Sequence, residues 1–258
     1  MVSPLDVGDD IAVGSCVRTV VAEHGRIDAI VHCAGVVAFG RTEDIPVEVF
    51  DRVLVTNVIG SVNVARHAVP RFREQGHGAL VLMGSVVGHS AAPRMTPYVV
   101  SKWSVRALAR QLQIENRDMP DVSISYVAPG MVDTPIWNQG ANYTGFAANP
   151  PPPVASPEHV ARVVWRRIER PRARTQTGLA NHAIRLGFSA VPKIFDRLAG
   201  PLFRRAVLDR RHPTAAGPGN ALNSVEAKNR VRGQHGSVLL RLRRRRASRA
   251  APTVRPKT

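Results

Sequence analysis

Three short apolar segments alternate with longer amphipathic segments, and this alternation constrains the fold more than any other feature of the sequence. The short segments are DAIVHCAG (28–35), GALVLMGS (78–85) and VSISYVAPG (122–130), and each ends at a glycine or a Gly-Ser pair. Apolar runs of this length, bounded by turn residues, are typical of buried parallel strands. Strands that alternate with helices are joined by right-handed crossovers, so we expect an α/β fold with a doubly wound parallel sheet.

The segments between these predicted strands have the periodicity of helices. One helix is expected between Asp9 and Gly25, because the aspartate can cap its start and the glycine can end it. The segment 46–76 predicts a second helical region that is interrupted near Asn57, and the segment 96–118 predicts a long third helix.

Beyond the third strand the pattern becomes less regular. The segment 138–157 is rich in Gly, Asn and Pro and predicts a mobile loop, after which Ser156 can cap another helix. Residues 182–208 mix apolar residues with arginines and have a helical tendency. From residue 211 onward large apolar residues are scarce, so we expect a domain over 1–210 and a disordered basic tail over 211–258.

The basic charge of the chain is concentrated in that tail. The formal net charge is +17, and residues 211–258 contain twelve Lys and Arg against a single acidic residue, Glu226. Such a segment could bind nucleic acid or acidic lipid. A solvated tail is the favoured interpretation, because the segment lacks interleaved aromatic residues and a recognisable nucleic-acid-binding fold.

Several classes of protein are disfavoured by composition. The sequence has no run of eighteen apolar residues and no secretory signal pattern, and its two cysteines cannot build a disulfide framework. The nine histidines are scattered, so we assign no metal site. A cytoplasmic protein is expected, with peripheral membrane contact as an open alternative.

The segment TPYVVSKWS (96–104) places a lysine four residues after a tyrosine. Tyr98 and Lys102 are therefore one helical turn apart and share a face, and their helix follows the loop that carries Ser85. A nearby ammonium group lowers the pKa of a phenol, and a serine hydroxyl can stabilise a substrate oxygen. This set predicts alcohol–carbonyl redox chemistry with a cofactor as the hydride carrier. A Tyr/Lys pair alone is a weak motif, which is also common on half-exposed helices.

From about residue 5 to residue 170 the chain resembles the short-chain dehydrogenase/reductase family. YVVSK matches the Tyr-x-x-x-Lys motif of that family, and Ser85 precedes Tyr98 by the usual interval. TNVIG (56–60) matches the segment that carries the catalytic asparagine of the family, here Asn57. The resemblance implies a catalytic set of Asn57, Ser85, Tyr98 and Lys102, in which Asn57 holds a water that links Lys102 to solvent.

The resemblance also implies a Rossmann-like fold that binds NAD or NADP. Asp6 would lie near the adenine, while Val132 and Thr134 would hold the nicotinamide carboxamide. The segment 136–157 would form the substrate lid. Its aromatic residues Trp137, Tyr143 and Phe146 suggest an apolar alcohol or carbonyl substrate, although aromatic residues in a loop are as often packing residues. A homo-oligomer is a further possibility that the resemblance leaves open. The implied cofactor-binding residues are Asp6, Val7, Cys33, Ala34, Gly35, Tyr98, Lys102, Pro129, Gly130, Val132 and Thr134.

Two departures from the family pattern stand out. The family usually has Asn-Asn-Ala-Gly where this chain has His32-Cys33-Ala34-Gly35. Cys33 could be a reactive thiol, but a small buried residue is the favoured interpretation. The family also has two strands, a helix and a Gly-x-x-x-Gly-x-Gly turn before the part that matches residues 1–10. We therefore expect the sheet to lack the first two strands, residues 1–258 to bind the cofactor weakly, and the choice between NAD and NADP to stay open.

Three functional hypotheses follow. The first is an NAD(P)-dependent oxidoreductase, the second is a non-catalytic dehydrogenase-like binding protein, and the third is a nucleic-acid or membrane-surface binder that works through its tail. Residues 182–208 could lie on a membrane or cover an apolar substrate, although a helix packed on the domain or in a dimer is favoured.

Overall fold

The computed structural model describes residues 2–233. The helices are α1 (Asp10–His24), α2 (Val47–Leu54), α3 (Gly60–Gln75), α4 (Thr96–Glu115), α5 (Ile136–Gln139), α6 (Pro157–Glu169), α7 (Leu179–Ala190) and α8 (Pro192–Ala206). The strands are β1 (Ala29–His32), β2 (Ala38–Phe39), β3 (Gly78–Met83), β4 (Val122–Pro129), β5 (Met131–Val132), β6 (Ala141–Asn142), β7 (Phe146–Ala148), β8 (Val154–Ala155), β9 (Arg174–Thr177) and β10 (Leu208–Pro213). Short 3-10 turns occupy Thr42–Asp44, Val86–His89 and Glu226–Lys228, and a π-helical turn at Val55–Ile59 joins α2 to α3.

Four parallel strands form the central sheet in the order β1-β3-β4-β9. Ala29 of β1 pairs with Ala79 of β3, and Gly78 of β3 pairs with Val122 of β4. The three predicted strands therefore lie side by side. Parallel neighbours require crossover connections, which α3, α4 and α6 supply. The predicted α/β, Rossmann-like parallel sheet is therefore confirmed.

Helices cover both faces of this sheet. On one face, Leu80 and Leu82 of β3 pack in a cluster with Phe72 of α3 and Val105 of α4. On the other face, Val81 packs in a cluster with two buried valines of α6. Successive strand residues point to opposite faces, so a strand that is covered on both sides must be apolar throughout. This two-sided burial explains why the strands lack polar alternation.

The helix boundaries follow the signals in the sequence. The Asp9 carboxylate accepts hydrogen bonds from the backbone N–H groups of Ile11 and Ala12, and Gly25 ends α1 with a φ of 77°. Only glycine adopts such a φ without strain, so this residue is a natural terminator. The predicted interruption of the second helical region is the π-turn that contains Asn57.

The prediction of a mobile loop over 138–157 is wrong. This segment contains part of α5 together with β6, β7 and β8. The Ala141 N–H donates to the Val37 carbonyl at 2.9 Å, and the Tyr143 N–H donates to the Phe39 carbonyl at 2.6 Å. A composition rich in Gly, Asn and Pro indicates turns, but it does not reveal backbone hydrogen bonds to a segment a hundred residues away.

The structure also differs from the prediction of a disordered tail that starts at residue 211. Strand β10 pairs antiparallel with β7, and Gly217 exchanges two backbone hydrogen bonds with Asn142 at 2.9 and 3.0 Å. Further along, Ala221 is buried and the Gly233 N–H donates to the Asp133 carbonyl at 2.8 Å. Backbone groups can anchor a segment that offers little apolar surface. The rest of the predicted tail, residues 234–258, lies outside the described residues.

Across residues 2–233, no helix is both long enough and apolar enough to span a bilayer.

Candidate active site

A cavity of about 940 Å³ opens at the carboxyl ends of β1, β3 and β4. Its wall includes Cys33 and Gly35 after β1, Gly84 and Ser85 after β3, and Gly130 after β4. Carboxyl ends of parallel strands meet at one edge of the sheet, which is where ligands bind in open α/β folds. The predicted convergence of these three segments is thus seen in the structure.

Helix α4 directs Tyr98 and Lys102 into this cavity. Both side chains line its wall, and the Lys102 Nζ lies 5.6 Å from the centroid of the Tyr98 ring. The lysine is buried, and its Nζ donates a hydrogen bond to the Met83 carbonyl at 2.9 Å. The helical spacing therefore brings the two groups together as predicted, and the end of β3 holds the lysine in place.

Burial controls the ionisation of both groups. Loss of solvent raises the pKa of Tyr98 to about 12, although a hydrogen bond with the Ser85 side chain opposes this rise. Loss of solvent also lowers the pKa of Lys102 to about 8. The raised pKa of Tyr98 differs from the prediction that Lys102 would lower it. The difference has a physical reason, because desolvation penalises the charged form of each group. In addition, the Lys102 Nζ donates its hydrogen bond to the Met83 carbonyl.

Ser85 is held by groups on both sides. It precedes the turn Val86–His89, and its Oγ accepts a hydrogen bond from the Val87 N–H at 3.3 Å. The Tyr126 hydroxyl lies 3.5 Å from both the backbone N and the carbonyl O of Ser85. A Cβ at Gly84 would lie only 2.1 Å from the Tyr126 ring, so this position requires glycine. Tyr126 was missed by sequence reasoning because nothing distinguishes it from other core residues of a strand.

Asn57 is buried beside the cavity rather than in its wall. Its Oδ1 accepts from the Val36 N–H at 2.8 Å, and its Nδ2 donates to the Val36 carbonyl and to the Ser101 Oγ, both at 2.9 Å. A Cβ at Gly35 would lie 3.3 Å from the Asn57 Oδ1 and 3.7 Å from the Lys102 Nζ. Asn57 therefore ties the segment after β1 to helix α4. Sequence reasoning did not identify Ser101 as its partner, although Ser101 lies within the YVVSK motif.

The residues that replace the usual two asparagines behave differently from each other. His32 is buried, and its Nε2 has no hydrogen-bond partner among the described residues. Burial, with a further contribution from the charge of Lys102, lowers the pKa of His32 to about 4. The prediction that Cys33 is buried is wrong, because the residue is exposed and lines the cavity. Alternation along the strand turns His32 inward and leaves its successor facing the opening.

The predicted cofactor residues fall into two groups. Those that line the cavity are Cys33, Gly35, Tyr98, Lys102, Pro129, Gly130, Val132 and Thr134. The cavity wall does not include Asp6, Val7 or Ala34. The Asp6 carboxylate accepts from the Gly8 N–H at 2.9 Å and pairs with Arg52, which holds the pKa of Asp6 below its usual value. The Val7 carbonyl accepts from the Asn63 Nδ2 at 3.0 Å.

The remainder of the cavity wall is apolar. Trp137 lies at one side, where its ring stacks on Phe39 with centroids 5.8 Å apart. Tyr143 and Phe146, which were also expected to indicate an apolar substrate, pack in core clusters outside the cavity wall. Further apolar residues of the wall are Val37, Met95, Val160, Val164, Ile184, Phe195, Leu202 and Phe203.

Over residues 2–233, no group of three or more His, Cys, Asp and Glu side chains is placed to hold a metal ion.

Comparison with known proteins identifies relatives over most of the chain. The family profile described as short chain dehydrogenase matches residues 1–142. The uncharacterized oxidoreductase YxnA of Bacillus subtilis (strain 168) is 29% identical over 196 residues, which make up 75% of this chain and 55% of that protein. The chain spans about half the length of that protein and of other curated relatives that it matches.

Solved structures share the fold. A short-chain dehydrogenase from Streptomyces avermitilis aligns with a TM-score of 0.62 at 21% identity, over 78% of this chain and 77% of that one. An alcohol dehydrogenase from the archaeon Thermococcus sibiricus, complexed with 5-hydroxy-NADP, aligns with a TM-score of 0.56 at 25% identity. That alignment covers 67% of this chain and 71% of the archaeal one.

Proposed function

The chain belongs to the short-chain dehydrogenase family, and we propose that it is an NAD(P)-dependent oxidoreductase that interconverts an apolar alcohol and the corresponding ketone or aldehyde. One observation carries this proposal above the others. Ser85, Tyr98 and Lys102 line a single apolar cavity at the carboxyl ends of the central strands. A proton donor, a hydrogen-bonding hydroxyl and a cation around one opening are the groups that carbonyl reduction needs.

The residues after β1 and β4 fit a flat, polar-edged group such as nicotinamide. Gly35 and Gly130 both line the cavity and carry no side chain, so they leave room for a ring at these two places. We assign Cys33, Ala34, Gly35, Pro129, Gly130, Val132 and Thr134 to the nicotinamide side, and Asp6 and Val7 to the adenine side. When bound, the nucleotide supplies or accepts the hydride. The archaeal alcohol dehydrogenase in complex with 5-hydroxy-NADP supports a nicotinamide nucleotide, which we propose is NAD or NADP.

Tyr98 is proposed to move the proton. Its pKa of about 12 keeps the hydroxyl protonated at neutral pH, so it can donate to a carbonyl oxygen in the direction of reduction. Ser85 is proposed to donate a hydrogen bond to the same oxygen and to hold it in place. In the direction of oxidation, Tyr98 must lose its proton, and the nearby ammonium of Lys102 stabilises the phenolate.

Lys102 and Asn57 are proposed to support this proton transfer. With a pKa of about 8, Lys102 is cationic at neutral pH and lies 5.6 Å from the Tyr98 ring centroid. Asn57 is proposed to be a positioning residue, because its side chain bonds to Val36 and to Ser101, the residue before Lys102 in α4. We keep the proposal that Asn57 also holds a water that connects Lys102 to solvent.

The apolar wall supports an apolar substrate. Phe39, Met95, Trp137 and Phe203 line the cavity and pack in one apolar cluster, so a polar molecule would lose its hydration there without gaining partners. Ketones and aldehydes with aliphatic or ring-bearing bodies are the proposed class. The segment 136–157, which carries Trp137, is proposed to act as the lid over them.

The test begins with titration of the purified protein with NADH and NADPH, followed by an assay of nucleotide oxidation with a panel of apolar ketones and aldehydes. Tyr98→Phe should lower turnover by about a hundredfold or more, since general acid catalysis is worth that much, and should leave nucleotide binding in place. Tyr143→Phe is the matched control, because this tyrosine lies outside the cavity wall. Normal turnover in Tyr98→Phe would disprove the catalytic assignment. Nucleotide binding without turnover on any carbonyl would favour the non-catalytic hypothesis.

A further inference from the structure

Helices α7 and α8 expose a row of large apolar side chains, which we call the α7–α8 stripe. Ile194, Leu198 and Leu202 follow one another at intervals of four residues, so they lie along one side of α8. Leu179 and Leu186 are two turns apart and lie along one side of α7. The stripe consists of Leu179, Leu186, Ile194, Leu198 and Leu202, which are 89%, 65%, 59%, 49% and 58% exposed.

The stripe is not needed to hold the two helices on the domain. Phe188 of α7 and Phe195 of α8 pack edge to face with ring centroids 5.3 Å apart, and Phe203 is buried in a core cluster. These contacts hold the two helices, and Phe188 and Phe203 lie on the sides of their helices away from the stripe. Five exposed aliphatic side chains on neighbouring helices are therefore a surface feature that calls for a ligand or partner.

Cations flank the stripe. Lys193, Arg197 and Arg204 recur at intervals of four and seven residues, which places them along the side of α8 next to Ile194 and Leu198. In the part of the chain that the structure describes, none of these three forms an ion pair. Residues 179–206 contain five Lys and Arg against one acidic residue, Asp196. The surface thus combines an apolar strip with unpaired positive charge.

The stripe continues into the cavity. Leu202 belongs to the stripe and also lines the cavity wall, and Trp165 of α6 is likewise 61% exposed while it lines the wall. Ile184, Phe195 and Ala199 line the cavity from the same two helices. Side chains that are both exposed and cavity-lining mark the mouth, so the opening lies next to the stripe.

We propose that the α7–α8 stripe docks on an anionic lipid bilayer, with its apolar side chains at the acyl boundary and its cations at the lipid phosphates. Amphipathic helices with a basic flank bind such surfaces through buried apolar area together with attraction to anionic headgroups. The mouth then faces the acyl chains, with Trp165 at the interfacial level that indole rings prefer. An apolar substrate would then reach the cavity from the bilayer without crossing water. This delivery of substrate rests on the proposed function.

A second copy of the chain fits this surface less well. A two-fold contact places the same patch on both sides, so the cations along one stripe would meet those of the other. Like charges that face each other across an interface oppose association. Anionic headgroups instead offer charge that is complementary to Lys193, Arg197 and Arg204.

The experiment is vesicle flotation of the full chain, with vesicles of phosphatidylcholine alone and of phosphatidylcholine with added phosphatidylglycerol. The stripe variant carries Leu186→Gln, Ile194→Gln and Leu198→Gln, and its control carries Ile11→Gln and Val47→Gln, two apolar residues elsewhere that are even more exposed. The charge variant carries Lys193→Gln, Arg197→Gln and Arg204→Gln, and its control carries Arg18→Gln, Arg110→Gln and Arg117→Gln. Both test variants should bind anionic vesicles about tenfold more weakly or worse, while both controls should match the wild type.

Three results would overturn the proposal. The first is a wild type that does not float with anionic vesicles. The second is a stripe variant that floats as well as the wild type. The third is loss of flotation in a variant with Arg243→Gln, Arg244→Gln, Arg245→Gln and Arg246→Gln, while the stripe variant still floats. Light scattering of each variant shows whether the stripe instead joins two copies, which would appear as a dimer that the stripe variant dissociates. Circular dichroism of each variant confirms that its fold is intact. Flotation without carbonyl turnover would reject the proposed function and leave the docking intact.

Discussion

The buried imidazole of His32 should make this protein lose stability in mild acid. Its pKa is about 4 in the folded chain, against an ordinary value of 6.5. Between these two values the unfolded chain binds a proton that the folded chain does not, so the free energy of unfolding falls as the pH is lowered. Across the full window of 2.5 pH units the free energy of unfolding falls by about 3 kcal/mol. About 2 kcal/mol of this loss occurs as the pH is lowered from 6.5 to 5.

Replacing this histidine should remove that dependence. In His32→Asn, the difference between the free energies of unfolding at pH 7 and pH 5 should shrink by about 2 kcal/mol relative to the wild type. The comparison is made within each variant, so a constant effect of the smaller side chain cancels. His159→Asn is the control, because it makes the same substitution at a histidine that is exposed on α6.

The assay is urea denaturation followed by tryptophan fluorescence at a series of pH values between 4 and 8. The outcome depends on burial of His32 and on the Nε2 that has no partner among the described residues. If His32→Asn and the wild type lose the same free energy between pH 7 and pH 5, then water or a hydrogen-bond acceptor reaches the imidazole in solution. The assignment of a neutral, desolvated histidine beside Lys102 would then be wrong.

Further substitutions test how the site is held. Gly84→Ala should destabilise the protein by about 2 kcal/mol or more in urea denaturation, because its Cβ would lie 2.1 Å from the Tyr126 ring. Tyr126→Phe should lower the free energy of unfolding by about 1 kcal/mol and should lower turnover, because Ser85 loses the hydroxyl that lies 3.5 Å from its backbone. Unchanged turnover would show that Tyr126 is only a packing residue.

In the proposed mechanism, the ionisation of the site bears on the direction of the reaction. The pKa of about 12 keeps the Tyr98 hydroxyl protonated at neutral pH, so it would be ready to donate a proton to a bound carbonyl. The opposite direction would require a phenolate, which the charge of Lys102 would stabilise. Since the pKa of Lys102 is about 8, this support weakens as the pH rises above that value.

The sequence by itself determined the features that depend on short-range geometry. Tyr98 and Lys102 share a face because a helix repeats every 3.6 residues, whatever surrounds it. The three strands could be located because burial on both faces demands continuous apolar runs, and Gly25 and Asp9 mark the helix ends through their own backbone preferences. Strand ends in a parallel sheet meet at one edge, so Ser85 could be assigned to the same cavity.

Only the tertiary structure decided the contacts between distant segments. The bonds of Asn57 to Val36 and Ser101, the place of Tyr126 behind Ser85, and the exposure of Cys33 all depend on which surfaces meet. The same holds for residues 211–233, which are anchored by backbone hydrogen bonds to the segment 133–149. Apart from proline, every residue carries the same backbone donor and acceptor, so no side-chain pattern records where they pair. The fold has to be formed before these partners exist.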